Sequence, residues 1–451
     1  MNINAIRLIL FSVSFFLFIS SVNAQEQLTL EQAIEIALDQ NISLQQAENN
    51  LNRNDAEIRQ AYGNFMPNLT GSSNANRITG QQFNQSTLAL ETFTQYSISA
   101  GLSTNVPLFT GWQNITNLRR AQLDKDANIN EYDRLREDII FQTASEFLQV
   151  LLNEELLKIA KENLEVSISQ LEQVDAQVEV GMRPIVDLFN QEAVVANNEV
   201  QVIQSENALN ISKVRLTRIL QLDPLVDYEF VTPGIDDSSV DPQIYNLNEL
   251  IQTAMANRLD LKSQEIRIES SKYALRNAKS GWFPRLSMGA NLNTSYNDAY
   301  RFLGETRNFS DQFFDERVSY SVGFSLSIPI FDRFQTKTNV SFRQIELKNA
   351  VLTLQDRESL VFQEVRQAYN DYQSLSQELV STEKALIAAE KAFETQQERY
   401  NVGSATLIEL TTANNEFVRA ASNRIQAVYR FIFQEKLLDY YLGRISEEVS
   451  F

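Results

Sequence analysis

Histidine and cysteine are both missing from the 451-residue chain, which removes much of the chemistry a protein can do. Without imidazole or thiolate, the usual ligands for zinc, copper and iron–sulfur centres are gone, and so is every Ser-His or Cys-His nucleophilic set. Glycine and proline are scarce, at 13 and 8, and no phosphate-cradling GxGxxG loop occurs. Positive charge is short as well: 39 Lys and Arg stand against 58 Asp and Glu. That balance argues against nucleic acid, whose phosphates need a clustered basic face. Apolar residues, at 43%, are ample for folding and too few for a polytopic helical membrane protein. What remains is a long, acidic, helix-rich chain with no implied cofactor.

Residues 1–24 read as an export signal. Arg7 supplies the charged start, Leu8 to Ile19 the apolar stretch, and Val22-Asn23-Ala24 the small-residue cleavage site. No cysteine follows to take a lipid anchor, so the mature chain is expected to begin at Gln25. Export permits disulfides, yet none is available, and stability must come from packing.

The chain repeats itself. Leu30, Ile34, Ala37, Leu44, Arg59, Pro67 and Leu69 return 217 positions later as Leu247, Ile251, Ala254, Leu261, Arg276, Pro284 and Leu286. Gly101, Pro107, Phe109, Gly181, Leu188, Leu216 and Leu220 return at a spacing of 222 as Gly323, Pro329, Phe331, Gly403, Leu410, Leu438 and Leu442. A first repeat over 25–221, an acidic linker over 222–246, a second repeat over 247–442 and a tail over 443–451 follow. Such a unit is far longer than a solenoid repeat.

Within each repeat two short helices precede two strands, and then a stretch without Gly or Pro begins, 112–180 or 332–402. Apolar residues recur there every seven positions, as Leu157, Leu164, Leu171 and Val178, and as Leu379, Leu386, Phe393 and Tyr400. That spacing means helices wound around partner helices. The second arm, after Gly181 or Gly403, is shorter, and the separate helix ending near Phe65 or Phe283 is expected to stack on its end. Strands are expected at about 68–77, 96–109, 285–296 and 318–331. In the last, Tyr320, Val322, Phe324, Leu326 and Ile328 alternate with Ser319, Ser321, Gly323, Ser325 and Ser327, one apolar face against one small polar face, as in outer-membrane strands. The polar stretches 78–94 and 297–316 read as loops facing the cell exterior, with Gly304 a site for labelling. Aromatics gather at the helix–strand junctions (Phe65, Phe109, Trp112, Trp282, Phe283, Phe331, Phe334), either as junction packing or as an interfacial girdle. Four strands cannot sit in lipid with open edges, so several chains must pool them. The terminal Phe451 follows a helix and an acidic tail, so its likeness to a barrel's last aromatic is coincidental.

This duplicated helix–strand–strand–helix unit resembles the TolC-type outer membrane efflux proteins. So do Pro67 and Pro284 at the strand starts, the Pro107-Leu-Phe and Pro329-Ile-Phe strand ends, and the glycine breaks. The segments Val180-Gly181-Met182-Arg183-Pro184-Ile185-Val186-Asp187-Leu188 and Val402-Gly403-Ser404-Ala405-Thr406-Leu407-Ile408-Glu409-Leu410 are similar to that family's periplasmic-tip motif. The resemblance covers the whole mature chain. It implies a fold that is mainly α with a β membrane part: a homotrimer in outer-membrane lipid whose four strands per chain make a twelve-stranded barrel, continued by a long α-helical coiled-coil barrel in the periplasm. It implies passive export in a tripartite efflux or type I secretion system, with substrates delivered by an inner-membrane transporter through a periplasmic adaptor (a membrane fusion protein).

The resemblance also marks tip residues. Asp187 matches the family's first-repeat gate aspartate and Tyr400 its second-repeat gate tyrosine, which pair in the closed state; Tyr400 equally continues the seven-residue seam as a packing residue. Glu409 sits where the family often has a lumen-facing acid, the alternative being a helix cap that complements the dipole. Two departures stand out. The family's second-repeat gate arginine is Ala405 here, while Arg183 holds the equivalent place in the first repeat. The second lumenal acid is Thr412, with Asn190 in the first repeat. Arg183 is expected to pair with a neighbouring acid, with Glu409 one candidate, and Gly181 and Gly403 mark the chain reversals. A periplasmic coiled-coil scaffold or adaptor without a channel is the competing reading, and an enzyme finds no convergent catalytic set.

Overall fold

The computed structural model describes residues 26–85, 88–226, 228–231, 242–302 and 305–445. The export signal, Gln25, Gly304 and Phe451 lie outside the described residues. Two equal courses of elements follow one another. The first is β1 (Glu26–Leu28), α1 (Leu30–Gln40), α2 (Ile42–Gly63), β2 (Asn68–Asn84), β3 (Ala89–Phe109), α3 (Gln113–Glu179) and α4 (Ile185–Leu220). The second is β4 (Tyr228–Phe230), α5 (Leu247–Asn257), α6 (Leu259–Lys279), β5 (Arg285–Asn297), β6 (Ser319–Ser327), α7 (Gln335–Asn401) and α8 (Leu407–Tyr441). Corresponding helices agree in length, 67 residues for both α3 and α7, and 36 and 35 for α4 and α8. At 1.5 Å per residue the longest helices span roughly 100 Å.

The chain divides into two units. One holds the residues up to Ala47, Tyr132–Leu259 and those from Glu358. Its helix α1 opens on a capping box, in which Thr29 and Gln32 satisfy each other's backbone N–H. The buried stripe Leu30, Ala33, Ile34 and Ala37 then packs on Ile140, Ala144, Phe147 and Leu151 of α3 and on Leu216 and Leu220 of α4. Strands β1 and β4 pair in parallel and close this core, with Phe230 edge-on to Phe147 at 5.8 Å. Leu44, in the first turn of α2, belongs to the same core as Leu216 and Leu220, so α2 begins against the end of α4, as the helix lengths predict. A second core joins Leu148 of α3 to Tyr372 and Leu379 of α7 and to Val428, Phe431 and Ile432 of α8. Successive residues, Phe147 and Leu148, thus serve different cores.

The seven-residue seam of α3 is real but shifted in weight. Leu157 is buried and Leu164 and Leu171 half-buried, whereas Ala160, Ser167 and Val174, three positions further in each heptad, are all buried. They are the second seam position of a coiled coil, and two of the three are too small or polar to register as apolar.

The other unit, Glu48–Glu131 with Asp260–Arg357, contains a four-stranded antiparallel sheet in the order β2-β3-β5-β6. β2 and β5 start directly after Pro67 and Pro284. The first hairpin is longer than expected. Ile78–Asn84 pair with Ala89–Gln95 in continuous register, so 78–94 is mostly strand and the expected strand bounds 68–77 and 96–109 fall short. Gln, Thr and Gly dominate that stretch and conceal the alternation, but ladder hydrogen bonds do not depend on side chains. β6 is shorter than expected, because residues 328–331 run past the end of β5 and meet no partner strand.

Cross-strand partners share a face. Leu286, Met288, Ala290 and Leu292 lie with Leu326, Phe324, Val322 and Tyr320 on an apolar face. Arg285, Ser287, Gly289, Asn291 and Asn293 lie with Ser327, Ser325, Gly323, Ser321 and Ser319 on a small polar one. All of β6 is exposed, including Tyr320 at 86% and Phe324 at 71%. Beyond β5, Gln312 is fully buried and binds the backbone of Asn297 and Arg307, pinning a short helical turn whose Phe309 and Phe313 stack at 4.9 Å. At the junctions, Trp112 and Phe334 stand at equivalent places of the two repeats, both with positive φ and both more than half exposed. Each also lies edge-on to a neighbouring ring at 5.7 Å, Trp112 to Phe109 and Phe334 to Phe331, so junction packing and an exposed face occur in the same residue.

Phe147→Ala removes a fully buried ring at the centre of the first core and should cost about 3–5 kcal/mol. A fall in the urea midpoint followed by helical circular dichroism would register it; an unchanged midpoint would mean the core is not organised around this ring.

Candidate functional site

Each long helix ends in the same backbone lock. At Gly181, with φ +73°, the amide of Gly181 donates to Val178 O at 2.9 Å and that of Met182 to Gln177 O at 2.8 Å. At Gly403, with φ +76°, Gly403 donates to Tyr400 O at 3.0 Å and Ser404 to Arg399 O at 2.8 Å. This pair of bonds is the Schellman motif, which satisfies the last helical carbonyls and turns the chain. A Cβ at either glycine would meet nothing within 4 Å, so backbone conformation, not crowding, calls for glycine here.

The returning helices start differently. α4 is capped by Pro184, without a side-chain hydrogen bond. α8 is capped by Thr406 in a full capping box, in which Glu409 N donates to Thr406 Oγ1 at 3.3 Å and Thr406 N donates to Glu409 Oε2 at 2.7 Å. These bonds hold the Glu409 carboxyl below the ordinary carboxylate range. Glu409 is therefore a helix cap within the chain, and Arg183 does not pair with it.

Arg183 turns to other partners. Its Nε donates to Gln177 Oε1 at 2.6 Å and its Nη1 to Asp187 Oδ2 at 3.5 Å, while its guanidinium lies 4.3 Å from the centre of the Tyr400 ring. One side chain so joins the end of α3, the start of α4 and the end of α7, with a cation–π contact worth about 1 kcal/mol. Tyr400 is buried with Val174, Leu407 and Leu410, and its hydroxyl is buried without a hydrogen-bond partner among the described residues. Burial pushes that hydroxyl's pKa up, with Arg183 opposing and Asp187 reinforcing the shift. Tyr400 fills the seam and its ring face receives Arg183, while the expected direct pair of Asp187 with Tyr400 is replaced by Asp187 meeting Arg183.

The comparisons with known proteins cover the same ground. The family described as "Outer membrane efflux protein" matches residues 33–221 and again 250–444. The chain belongs to the outer membrane efflux protein family. The double match follows the two courses of elements. The efflux protein is 22% identical to outer membrane protein TolC of Escherichia coli (strain K12), over 78% of this chain and 70% of that one. It is 23% identical to TolC of Vibrio cholerae, over 84% and 82%. A solved structure of CusC superposes with a TM-score of 0.79 at 16% identity, covering 92% of both chains. The family is one of outer-membrane channel proteins and not of enzymes, so outer-membrane efflux is the activity and the outer membrane the location.

Of the tip residues singled out from the efflux protein's sequence, Arg183, Asp187 and Tyr400 come together beside Gly181 and Gly403. Asn190 is exposed, and Thr412, also exposed, returns its hydroxyl to the carbonyl of Ile408. Gln177 escapes a sequence reading, since nothing in a lone glutamine announces a partner. Thr406 does not have to, because a threonine three residues before a glutamate is the capping-box pattern. Gln191, fully buried and bonded to Ser167 O at 2.9 Å, has no sequence signal.

Gly403→Ala forces a side chain into left-handed backbone and should lower stability by about 1 kcal/mol, while Gly403→Asn should lose less; equal unfolding midpoints for all three proteins would remove the role given to φ. The depressed Glu409 pKa stabilises the fold above the ordinary carboxylate range, and this is lost as pH falls through the lowered value. Glu409→Gln should flatten the acid limb of the stability–pH curve, and a limb identical to wild type would count against the cap.

Proposed function

We propose that three copies assemble into a passive export duct, a twelve-stranded barrel in outer-membrane lipid continued by a helical tunnel. One observation carries this reading: the sheet β2-β3-β5-β6 ends in two open edges, and β6 offers lipid a row of unpaired backbone groups. Each would cost several kcal/mol in hydrocarbon. Four strands are too few to close on themselves, while pairing β6 with β2 of the next copy removes every edge. The apolar face of Tyr320, Val322, Phe324 and Leu326 then meets lipid, and the serine and asparagine face lines the bore.

The tip is proposed as the closed gate, held by Arg183 on Tyr400 and Asp187. Around it Val180, Met182, Ile185, Val186, Val402 and Ile408 are exposed, an apolar rim suited to a periplasmic adaptor that couples the duct to an inner-membrane transporter. A scaffold without a channel has no use for a sheet with a lipid-type face.

The purified chain should require detergent and run as a trimer, and a monodisperse monomer in plain buffer would sink the duct. Arg183→Ala should raise single-channel conductance in a planar bilayer several-fold, since it removes the polar link from Gln177 and Asp187 to Tyr400. Tyr400→Phe alone should change little, its hydroxyl being unpartnered. Unaltered conductance in trimeric Arg183→Ala protein would move the gate elsewhere.

A further inference from the structure

In the part of the sheet where all four strands lie side by side, the residues are 68–72, 101–109, 285–293 and 319–327. One of them is charged: Arg285. In a chain with 58 acidic residues the remainder is apolar toward lipid, apart from Gly71 and Thr104, and Ser, Thr, Asn, Gly or Pro toward the bore. Arg285 pairs across the strands with Ser327, so it stands on the bore face, at the end where the strands join the helices. It lines a polar cavity of about 420 Å³ with Asn277, Ser327, Asp332, Thr336 and Asn339. Its guanidinium has no ion pair among the described residues. Asp332, the acid in the same cavity, already accepts the Thr336 amide at 2.8 Å as the cap of α7.

We propose that Arg285 sets the ion preference of the open channel: three guanidinium groups, one from each copy, form a ring at the base of the barrel that draws anions into the bore and retards cations. The proposal rests on the trimeric duct. Twelve strands about 4.8 Å apart and tilted by about 40° enclose a circle of roughly 12 Å radius. An arginine stem pointing inward closes much of that distance, and at 0.1 M salt the field reaches about 10 Å further. The ring therefore acts over the whole cross-section, opposed at that level by the Asp332 carboxylate of each copy, which is held in the cap of α7 by Thr336. Of the acids at the tip, Asp187 is paired with Arg183 and Glu409 keeps its charge in the helix cap, a contribution that stays constant across the Arg285 variants. The cargo favoured at the barrel base would carry a carboxylate, sulfate or phosphate group.

The test is the reversal potential of trimers in a planar bilayer under a potassium chloride gradient. It is measured for wild type, Arg285→Lys, Arg285→Gln and Arg285→Glu, each with the native tip and with Arg183→Ala, so that tip resistance does not mask the barrel. Lys should keep the anion preference. Gln should lower the chloride-to-potassium permeability ratio by about threefold, and Glu should invert it. The Glu variant is the one most prone to misassemble, and the Lys–Gln comparison decides without it. Equal reversal potentials for Lys and Gln in both tip backgrounds would overturn the role of Arg285 while leaving the duct intact. Absence of any current from trimers with the native tip and with Arg183→Ala alike would instead overturn the duct.

Discussion

A β-strand in hydrocarbon must have every backbone N–H and C=O paired, and this chain supplies too few strands to satisfy that by itself. The rest of the architecture follows from that shortfall. Because β6 and β2 end the sheet, the barrel has to be built from several chains, and each chain's helices then become staves of a shared tube. Staves of that kind need a seam on each flank, which is why α3 serves two cores with adjacent residues, Phe147 and Leu148. They also need constant length, which is why the 67-residue helices match and the shorter α4 and α8 differ by one residue. The short elements α1, β1 and β4 bind on the first core of the helical unit, where Leu30, Ile34 and Phe230 cover α3 and α4.

Much of this is legible in the amino-acid sequence, for physical reasons that can be named. Long glycine- and proline-free stretches leave a chain little but helix, and glycines in two equivalent places mark the reversals because left-handed backbone is needed there. Pro67 and Pro284 signal strand starts because proline ends the preceding helix and favours extended backbone after it. The failures are equally physical. Ile78–Asn84 pairs through its backbone, and a run of Gln, Thr and Gly hides that from a hydropathy pattern. Ala160 and Ser167 are buried because helices approach closely where side chains are small, so the deepest line of the seam is the least apolar to read. The partners of Arg183 are beyond the reach of sequence, since which carboxylate a guanidinium meets depends on ångström-level placement of three helix ends.

Charge is distributed as the two environments require. Where all four strands lie side by side the sheet carries one cation, Arg285, while Arg77 and Glu91 lie in the extension of the first hairpin. At the helix–strand junctions Trp112 and Phe334 leave much of their rings exposed, a placement that would suit a boundary between lipid and water. The apolar face of β6, unsuitable for a soluble protein because it invites edge-to-edge aggregation, suits a strand that is to be paired and lipid-covered.

The two tips show how duplication allows division of labour. Their backbones are the same: helix, Schellman lock, one extended residue, helix. Their side chains differ in a directed way. In the second repeat Thr406 and Glu409 satisfy each other, and Arg399 of the same repeat bonds Ser404 O at 3.1 Å, so the turn is held by polar partners of its own repeat. In the first, Pro184 has no capping side chain, and the turn is steadied by Arg183, which reaches Tyr400 of the other repeat. The position equivalent to Tyr400 in the first repeat is Val178, which offers no ring face, and that equivalent to Arg183 in the second is Ala405, which offers no cation. The bond between the tips therefore runs in one direction only, from first repeat to second. In the proposed gate, breaking it would free the first reversal while leaving the second locked in its capping box, which assigns the opening movement to the segment from Gly181 to Asp187.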